Sequence, residues 1–228
     1  MPTSWLFSFG LALFAMAVGV AAQTAAEENM TVNARFLLAA RNADAAGMKR
    51  GLTDGAAVNS RNRLGESALI VVLKKNRVDL AQLVIDAGTD INQPALNGIT
   101  ALMTAAYEGQ TDMARQLLAK GANPAALDRL QKNAMIYASG EGRTGVVTLL
   151  LANGVDPNAV YHNNLTALMW AAGFGKTDTV RALLVAGANP QLKDNRDKTA
   201  ADIARDHNFA ETAQLLDGAA PATRAAAK

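Results

Sequence analysis

Apolar and polar positions along this chain repeat with a fixed period. Residues 100–110, TALMTAAYEGQ, and residues 166–176, TALMWAAGFGK, begin 66 residues apart, and a related stretch lies midway, so the period is 33 residues. Self-similarity at such a period is typical of repeat proteins, in which each unit is one small supersecondary structure. The pattern runs from about residue 31 to residue 217.

Each unit predicts two short helices separated by tight turns. The first helix begins at a side chain whose oxygen can cap a helix N-terminus, and it ends at a residue suited to a left-handed backbone. A glycine then ends the second helix. The caps are Ser67, Thr100, Asn133, Thr166 and Thr199, the first stops are Asn76, Gly109, Gly142, Gly175 and Asn208, and the second stops are Gly55, Gly88, Gly121, Gly154 and Gly187.

These helices must be stabilised by stacking. Isolated helices shorter than about 12–15 residues are marginal in water, and one unit cannot bury its apolar face alone, so each unit packs on its neighbours. We therefore predict an all-α solenoid of stacked helix-turn-helix units. The repeat domain spans residues 31–217, with units at about 31–60, 61–93, 94–126, 127–159, 160–192 and 193–217, after a linker at 23–30 and before a flexible tail at 218–228.

This pattern resembles the ankyrin repeat. The text GITALMTAAYEG…LLAKGANP at 98–124 and NLTALMWAAGFG…LLVAGANP at 164–190 matches the family's helix start, Leu-Leu pair and Gly-Ala-Asn ending, and Gly98 of the first stretch matches its turn glycine. The resemblance implies an ankyrin-repeat solenoid with β-turn fingers between the helix pairs. One departure is that the family's histidine is absent, so we expect apolar contacts where the family makes polar ones. The residues in its place are Ile70, Met103, Ile136 and Met169.

The N-terminus has the character of a signal peptide. Residues 5–22, WLFSFGLALFAMAVGVAA, carry no charge and would span about 27 Å as a helix, against roughly 30 Å for a bilayer core. Val20 and Ala22 are small residues at positions −3 and −1 of a cleavage site, although the preceding MPTS contains no Lys or Arg. We predict a signal peptide at residues 1–22, cleaved after Ala22, with retention as a membrane anchor as the alternative.

Composition argues against several other functions. The chain has no cysteine, which excludes disulfides, thiolate catalysis and Cys-type zinc sites. Its net charge is only +2, without a basic stripe, so nothing supports nucleic-acid binding. The two histidines, His162 and His207, fall at unrelated repeat positions, and GFGKT at 173–177 has Trp170 where a phosphate loop needs glycine. We expect no enzyme activity, no cofactor and no metal.

Recognition of another protein is the function that the resemblance implies. In the family, the first helices line a concave face and the turn tips project as fingers. Trp, Tyr and Arg dominate the energy of many interfaces, and aromatic residues make up only 5% of this chain. An alternative for Tyr137 and Trp170 is packing between neighbouring first helices. The partner-binding candidates are Tyr107, Glu108, Tyr137, Glu141, Trp170 and Phe174 on the first helices, with Arg129 and Tyr161 on the fingers.

We therefore expect a monomeric protein-binding module of the bacterial cell envelope, periplasmic or secreted, with no membrane contact after signal cleavage. Its bacterial origin is inferred from the signal-like start and the cysteine-free composition. Two alternatives remain open. One is a membrane-tethered scaffold that retains residues 5–22, and the other is an accessory or inhibitory subunit of an envelope enzyme.

Overall fold

A computed structural model describes residues 30–219. The predicted signal peptide (1–22), the linker up to residue 29 and the tail from residue 220 lie outside the described residues. Within them, twelve α-helices form six consecutive pairs. The pairs are α1 (Val32–Asn42) with α2 (Ala45–Thr53), α3 (Ala68–Lys74) with α4 (Val78–Asp86), α5 (Ala101–Glu108) with α6 (Thr111–Ala119), α7 (Ala134–Glu141) with α8 (Thr144–Ala152), α9 (Ala167–Gly173) with α10 (Thr177–Val185), and α11 (Ala200–Asp206) with α12 (Ala210–Asp217).

The first helices begin at the predicted caps. In α3, α5, α7, α9 and α11 the side chain of the cap residue accepts a hydrogen bond from the backbone N–H three residues later. Helix α1 differs because Ala34 occupies the cap position and has no side-chain acceptor. It starts earlier, at Thr31, whose hydroxyl accepts from Ala34 N at 3.2 Å.

Both predicted stop positions have a left-handed backbone, with φ of 53–76° at the first and 82–88° at the second. The first helix pair shows one more such residue, Ala43, with φ of 55°. Alanine at this position breaks the Gly/Asn pattern seen in the other units, so the repeat gave no signal for it. The turn after α1 is therefore made at the cost of a strained alanine.

A continuous apolar core runs through the helix pairs. Each first helix packs on the first helix of the next pair, and contacts between second helices are fewer. Ile70, Met103, Ile136 and Met169 are all at most 2% exposed, so the expected apolar contacts in place of the family's histidine are confirmed. Within residues 30–219 no helix has both the length and the apolar character needed to cross a membrane.

The segments between helix pairs form fingers, which we define as residues 55–67, 88–100, 121–133, 154–166 and 187–199. At three of the four junctions between these fingers, a backbone hydrogen bond near the tip joins the neighbours, and an asparagine side chain near the base accepts a backbone N–H of the next finger. The tip bonds run from Leu96 N to Leu64 O, from Arg129 N to Asn97 O and from Asn195 N to Asn163 O, and the base bonds run from Asp90 N to Asn59, from Asn123 N to Asn92 and from Asn189 N to Asn158.

Candidate functional site

Aromatic side chains of three neighbouring first helices lie in one row. Helix α5 supplies Tyr107 and α7 supplies Tyr137, whose rings meet edge to face with centroids 6.1 Å apart. Trp170 of α9 stacks on Phe174, the residue that ends this helix, with centroids 5.9 Å apart and planes 12° from parallel. We call these four residues the aromatic row, and the surface that carries it the first-helix face.

Lys132 joins the two halves of the aromatic row. Its Nζ lies 4.4 Å from the centroid of the Trp170 ring and 5.8 Å from that of Tyr137. A cation over an aromatic face is attracted to the ring quadrupole. Lys132 forms no ion pair with a carboxylate of residues 30–219. The sequence did not point to this lysine, because its position just before the cap holds a different residue type in most units.

Tyr137 is hydrogen-bonded to the finger that precedes α7, residues 121–133. Its hydroxyl donates to Asp128 Oδ2 at 2.5 Å, while Asp128 Oδ1 accepts the N–H groups of Leu130 and Lys132, both at 2.8 Å. Two effects raise the pKa of Tyr137 above its ordinary value. Burial of the side chain is the larger effect, and the adjacent Asp128 carboxylate is the second. This network positions both the ring and Lys132 relative to α7.

The ends of the aromatic row are open and its middle is half-buried. Tyr107 is 45% exposed and Phe174 is 52% exposed, so both can contact another molecule. Tyr137 and Trp170 are half-buried, and Tyr137 also packs against the core. Tyr137 thus makes some of the packing contacts that the alternative expects. That Tyr137 and Trp170 bind a partner stays a prediction.

The other candidate residues near the aromatic row differ in how exposed they are. Glu108 and Glu141 are half-buried at the ends of α5 and α7, and Arg129 is exposed on its finger. Tyr161 was expected at a finger tip, but its hydroxyl accepts a hydrogen bond from Asn133 Nδ2, the cap of α7, at 3.0 Å. Burial raises the pKa of this tyrosine. Tyr161 therefore braces two fingers and is less accessible than the sequence suggested.

Apolar recesses open along the same face. One of about 300 Å³ is lined by Tyr107, Tyr137 and Met103, and one of about 310 Å³ is lined by Lys132, Trp170 and neighbouring finger residues. Within residues 30–219, no three carboxylate or histidine side chains converge as a metal site would require. This face carries aromatic and apolar groups, with Lys132 between the two aromatic pairs.

Comparison with known families agrees with this geometry. A family model described as "Ankyrin repeats (3 copies)" matches the chain three times, over residues 25–128, 69–161 and 134–224. The overlapping matches together extend from residue 25 to residue 224. A comparison with curated proteins found no match.

Proposed function

This chain belongs to the ankyrin-repeat family, and from this membership we propose that it is a non-catalytic module that binds a protein partner with its first-helix face. Ankyrin repeats generally mediate protein–protein interaction and are typically non-catalytic. The proposal assigns this general role to one surface and to named residues.

The observation that carries the proposal is the exposure of the aromatic row. Aromatic residues are scarce in the chain, yet Tyr107 and Phe174 expose about half of their side chains to solvent at the two ends of the aromatic row. Large aromatic groups exposed in a contiguous patch are typical of interaction sites. Such groups bring much contact area at little cost in conformational entropy, which is why they dominate many interfaces.

We propose in addition that the protein is exported and acts as a monomer in the bacterial periplasm or outside the cell. Support comes from the uncharged residues 5–22 and from the small residues Val20 and Ala22. The family match begins at residue 25, so it leaves the proposed signal peptide outside the repeat domain. A retained anchor would instead make the protein a membrane-tethered scaffold.

The intact mass of the native protein tests the export proposal. A soluble envelope species that starts at Gln23 supports cleavage after Ala22. A full-length species found only in membranes contradicts cleavage and supports the tethered scaffold. A partner that is itself an envelope enzyme would identify the protein as an accessory or inhibitory subunit.

Capture of the partner tests the binding face. Wild-type protein, a Tyr107→Ala, Phe174→Ala double variant and a Val185→Ala control serve as bait in an extract of the native envelope. Val185 lies on the second helix α10 and is 90% exposed, so it matches the removal of exposed apolar surface away from the face. We expect the control to retain the partner of wild type and the double variant to lose it. Full retention by the folded double variant would contradict the proposal.

A further inference from the structure

One junction between neighbouring fingers lacks the backbone tip bond and the asparagine base bond of the other junctions, and it is crossed instead by the hydrogen bond from Asn133 Nδ2 to the Tyr161 hydroxyl. The fingers 121–133 and 154–166 have no tip bond between Leu130 O and His162 N, whereas the other three junctions within residues 30–219 have one. The base position holds Ala125 in place of asparagine, so Asp156 N lacks the side-chain acceptor that its counterparts have. We call this place the open junction.

The path of the backbone explains the missing tip bond. Residues His162–Asn164 form a short 3-10 turn, and the two successive residues Asn163 and Asn164 have φ of 60° and 58°. Asn164 shares its left-handed backbone with its counterparts in the other fingers, whereas Asn163 is left-handed in this finger alone among residues 30–219. Within the described residues, the C=O of Leu130 and the N–H of His162 are therefore left without the partners that their counterparts have.

The open junction contains the recess of about 310 Å³ beside the aromatic row. This volume is at the lower end of the range for ligand pockets, about 300–1,000 Å³. Its apolar walls include Leu130, Ile136, Leu165 and Trp170, and Lys132 lies at its edge. Leu130 is 66% exposed, so a large apolar group at the lip has no cover from residues 30–219.

Lys132 is the one lysine, arginine or carboxylate side chain among the described residues that line this recess. No carboxylate lines it, and Lys132 has no ion-pair partner in residues 30–219. Arg129, the residue before Leu130, is exposed and also forms no ion pair there. A carboxylate of the bound molecule would complete the interaction of Lys132, whose ammonium is already held in place by Trp170. A charge-assisted bond to a fixed cation is stronger than one between neutral groups.

We propose that the open junction is the specificity pocket of the first-helix face, and that it takes an apolar side chain followed closely by Asp or Glu in an extended segment of the partner protein. The apolar side chain enters between Leu130 and Trp170, and the acidic group pairs with Lys132. The backbone of the segment offers hydrogen bonds to the unpaired groups of Leu130 and His162. This inference rests on the proposed function and names the chemistry of the partner.

Selection of peptides on the purified protein tests the proposal. The probe is a phage-displayed library of random peptides, panned on wild type, Lys132→Met, Lys132→Arg and Leu130→Glu. Lys132→Met keeps most of the apolar stem and removes the charge, whereas Lys132→Arg keeps the charge and the cation–π contact. Lys75→Met is the matched control, because Lys75 is an exposed lysine at the end of α3 on the same face. Thermal melts establish that every variant is folded.

We expect wild type, Lys132→Arg and Lys75→Met to enrich peptides in which an apolar residue lies next to, or one residue from, Asp or Glu. On Lys132→Met the acidic preference should disappear, and the Kd of the best wild-type peptide should rise about tenfold. Leu130→Glu should bind that peptide still more weakly, because it adds a negative charge at the lip of the pocket.

Three results would overturn the pocket. Selected peptides without an acidic residue are one, and peptides whose affinity is unchanged in Lys132→Met are another. If those peptides still depend on Tyr107 and Phe174, the proposed binding face stands and only the pocket is wrong. The third is the absence of any enriched peptide, in which case capture of the native partner decides separately whether the face binds a protein.

Discussion

The hydroxyl of Tyr137 donates a 2.5 Å hydrogen bond to Asp128 Oδ2 and thereby joins helix α7 to the finger that precedes it. Asp128 is only 4% exposed, so its carboxylate depends on protein donors in place of water. One of those donors belongs to a ring on the proposed binding face. Tyr137 is therefore a structural support and a surface group at once, and the two roles can be separated by removing a single atom.

Tyr137→Phe should lower the free energy of unfolding by about 1–2 kcal/mol, because the buried Asp128 carboxylate loses one donor while the ring keeps its contacts. Tyr107→Phe is the control, since the Tyr107 hydroxyl forms no hydrogen bond within residues 30–219 and its removal should change stability little. Urea unfolding of both variants measures the difference. Equal losses in the two variants would show that the bond to Asp128 does not support α7.

The open junction predicts a stabilising substitution. Asn at position 125 should accept the free Asp156 N–H and donate to Gly154 O, as Asn92 and Asn158 do at their own junctions. Ala125→Asn should therefore raise the free energy of unfolding by about 1 kcal/mol. Asn92→Ala should lower it by a similar amount. A destabilised Ala125→Asn variant would show that the fingers cannot approach closely enough to form these bonds.

Two glycines predict opposite effects of the same substitution. Gly154 has φ of 83° and nothing lies within 4 Å of a Cβ built on it, so the strain in Gly154→Ala is in the backbone alone and should cost about 1–2 kcal/mol. Gly140 lies within α7 without positive φ, and a Cβ there would be 3.7 Å from the Trp170 and Phe174 rings. Gly140→Ala should therefore stabilise the protein by up to about 1 kcal/mol. Thermal melts of the two variants give the signs, and a shared sign would refute the argument.

The sequence predicted the parts of this fold that depend on local chemistry. A cap such as Thr166 and a stop such as Gly154 are required within a few residues of where they stand, and the repeat shows each requirement several times. Lys132 was missed because its environment comes from its own finger and from rings on α7 and α9. The contact of Tyr161 with Asn133 of the preceding unit was missed for the same reason.

The missing bonds of the open junction were not predictable from the period alone. Ala125 could be read from the sequence as a departure from asparagine, but its consequence depends on the distance between two fingers. The turn at 162–164 requires left-handed asparagines in succession, and each asparagine alone is an ordinary turn residue. The two departures fall at the same junction, although Ala125 does not itself line the recess.

The contact between the first two helix pairs predicts a dependence on acid pH. Arg77 donates to both Asp79 oxygens, at 2.8 and 2.6 Å, and its Nη1 donates to Ala43 O of the preceding pair at 2.8 Å. The hydrogen bonds from Arg77 lower the pKa of Asp79 from 3.8 to about 2. Since the folded pKa is the lower one, the stabilisation is complete above the ordinary pKa and is lost as the pH falls through the lowered value.

Asp79→Asn should therefore lower the Tm at pH 7, and its difference from wild type should shrink as the pH falls from about 4 towards 2. Asp112→Asn is the control, because its partner Arg115 is on the same helix and, within residues 30–219, neither side chain forms a hydrogen bond to another helix pair. This control should change the Tm little at either pH. A pH-independent difference for Asp79→Asn would show that the ion pair does not stabilise the first contact.

Phe174→Ala and Trp170→Ala separate binding from packing on the first-helix face. Phe174 is about half exposed and stacks on Trp170, so its truncation should cost less than about 1 kcal/mol of stability. If Phe174 is a hot spot, the same change should weaken partner binding by about 2 kcal/mol, or about thirtyfold. Trp170 is half-buried and also covers Lys132, so its truncation should reduce both quantities.

Each variant needs one thermal melt and one binding titration against the captured partner. Lys193→Ala, on the segment that leads to α11, is the control and should change neither quantity, because its ion pair with Asp197 is exposed. If the rings served only packing, the result would be the reverse. Truncation would then lower the free energy of unfolding by several kcal/mol and would leave partner binding by the folded variant unchanged. A folded Trp170→Ala, Phe174→Ala double variant that binds with wild-type affinity would show that the aromatic row is not the binding site. The exposed finger residue Arg129 would then be the next candidate for partner binding.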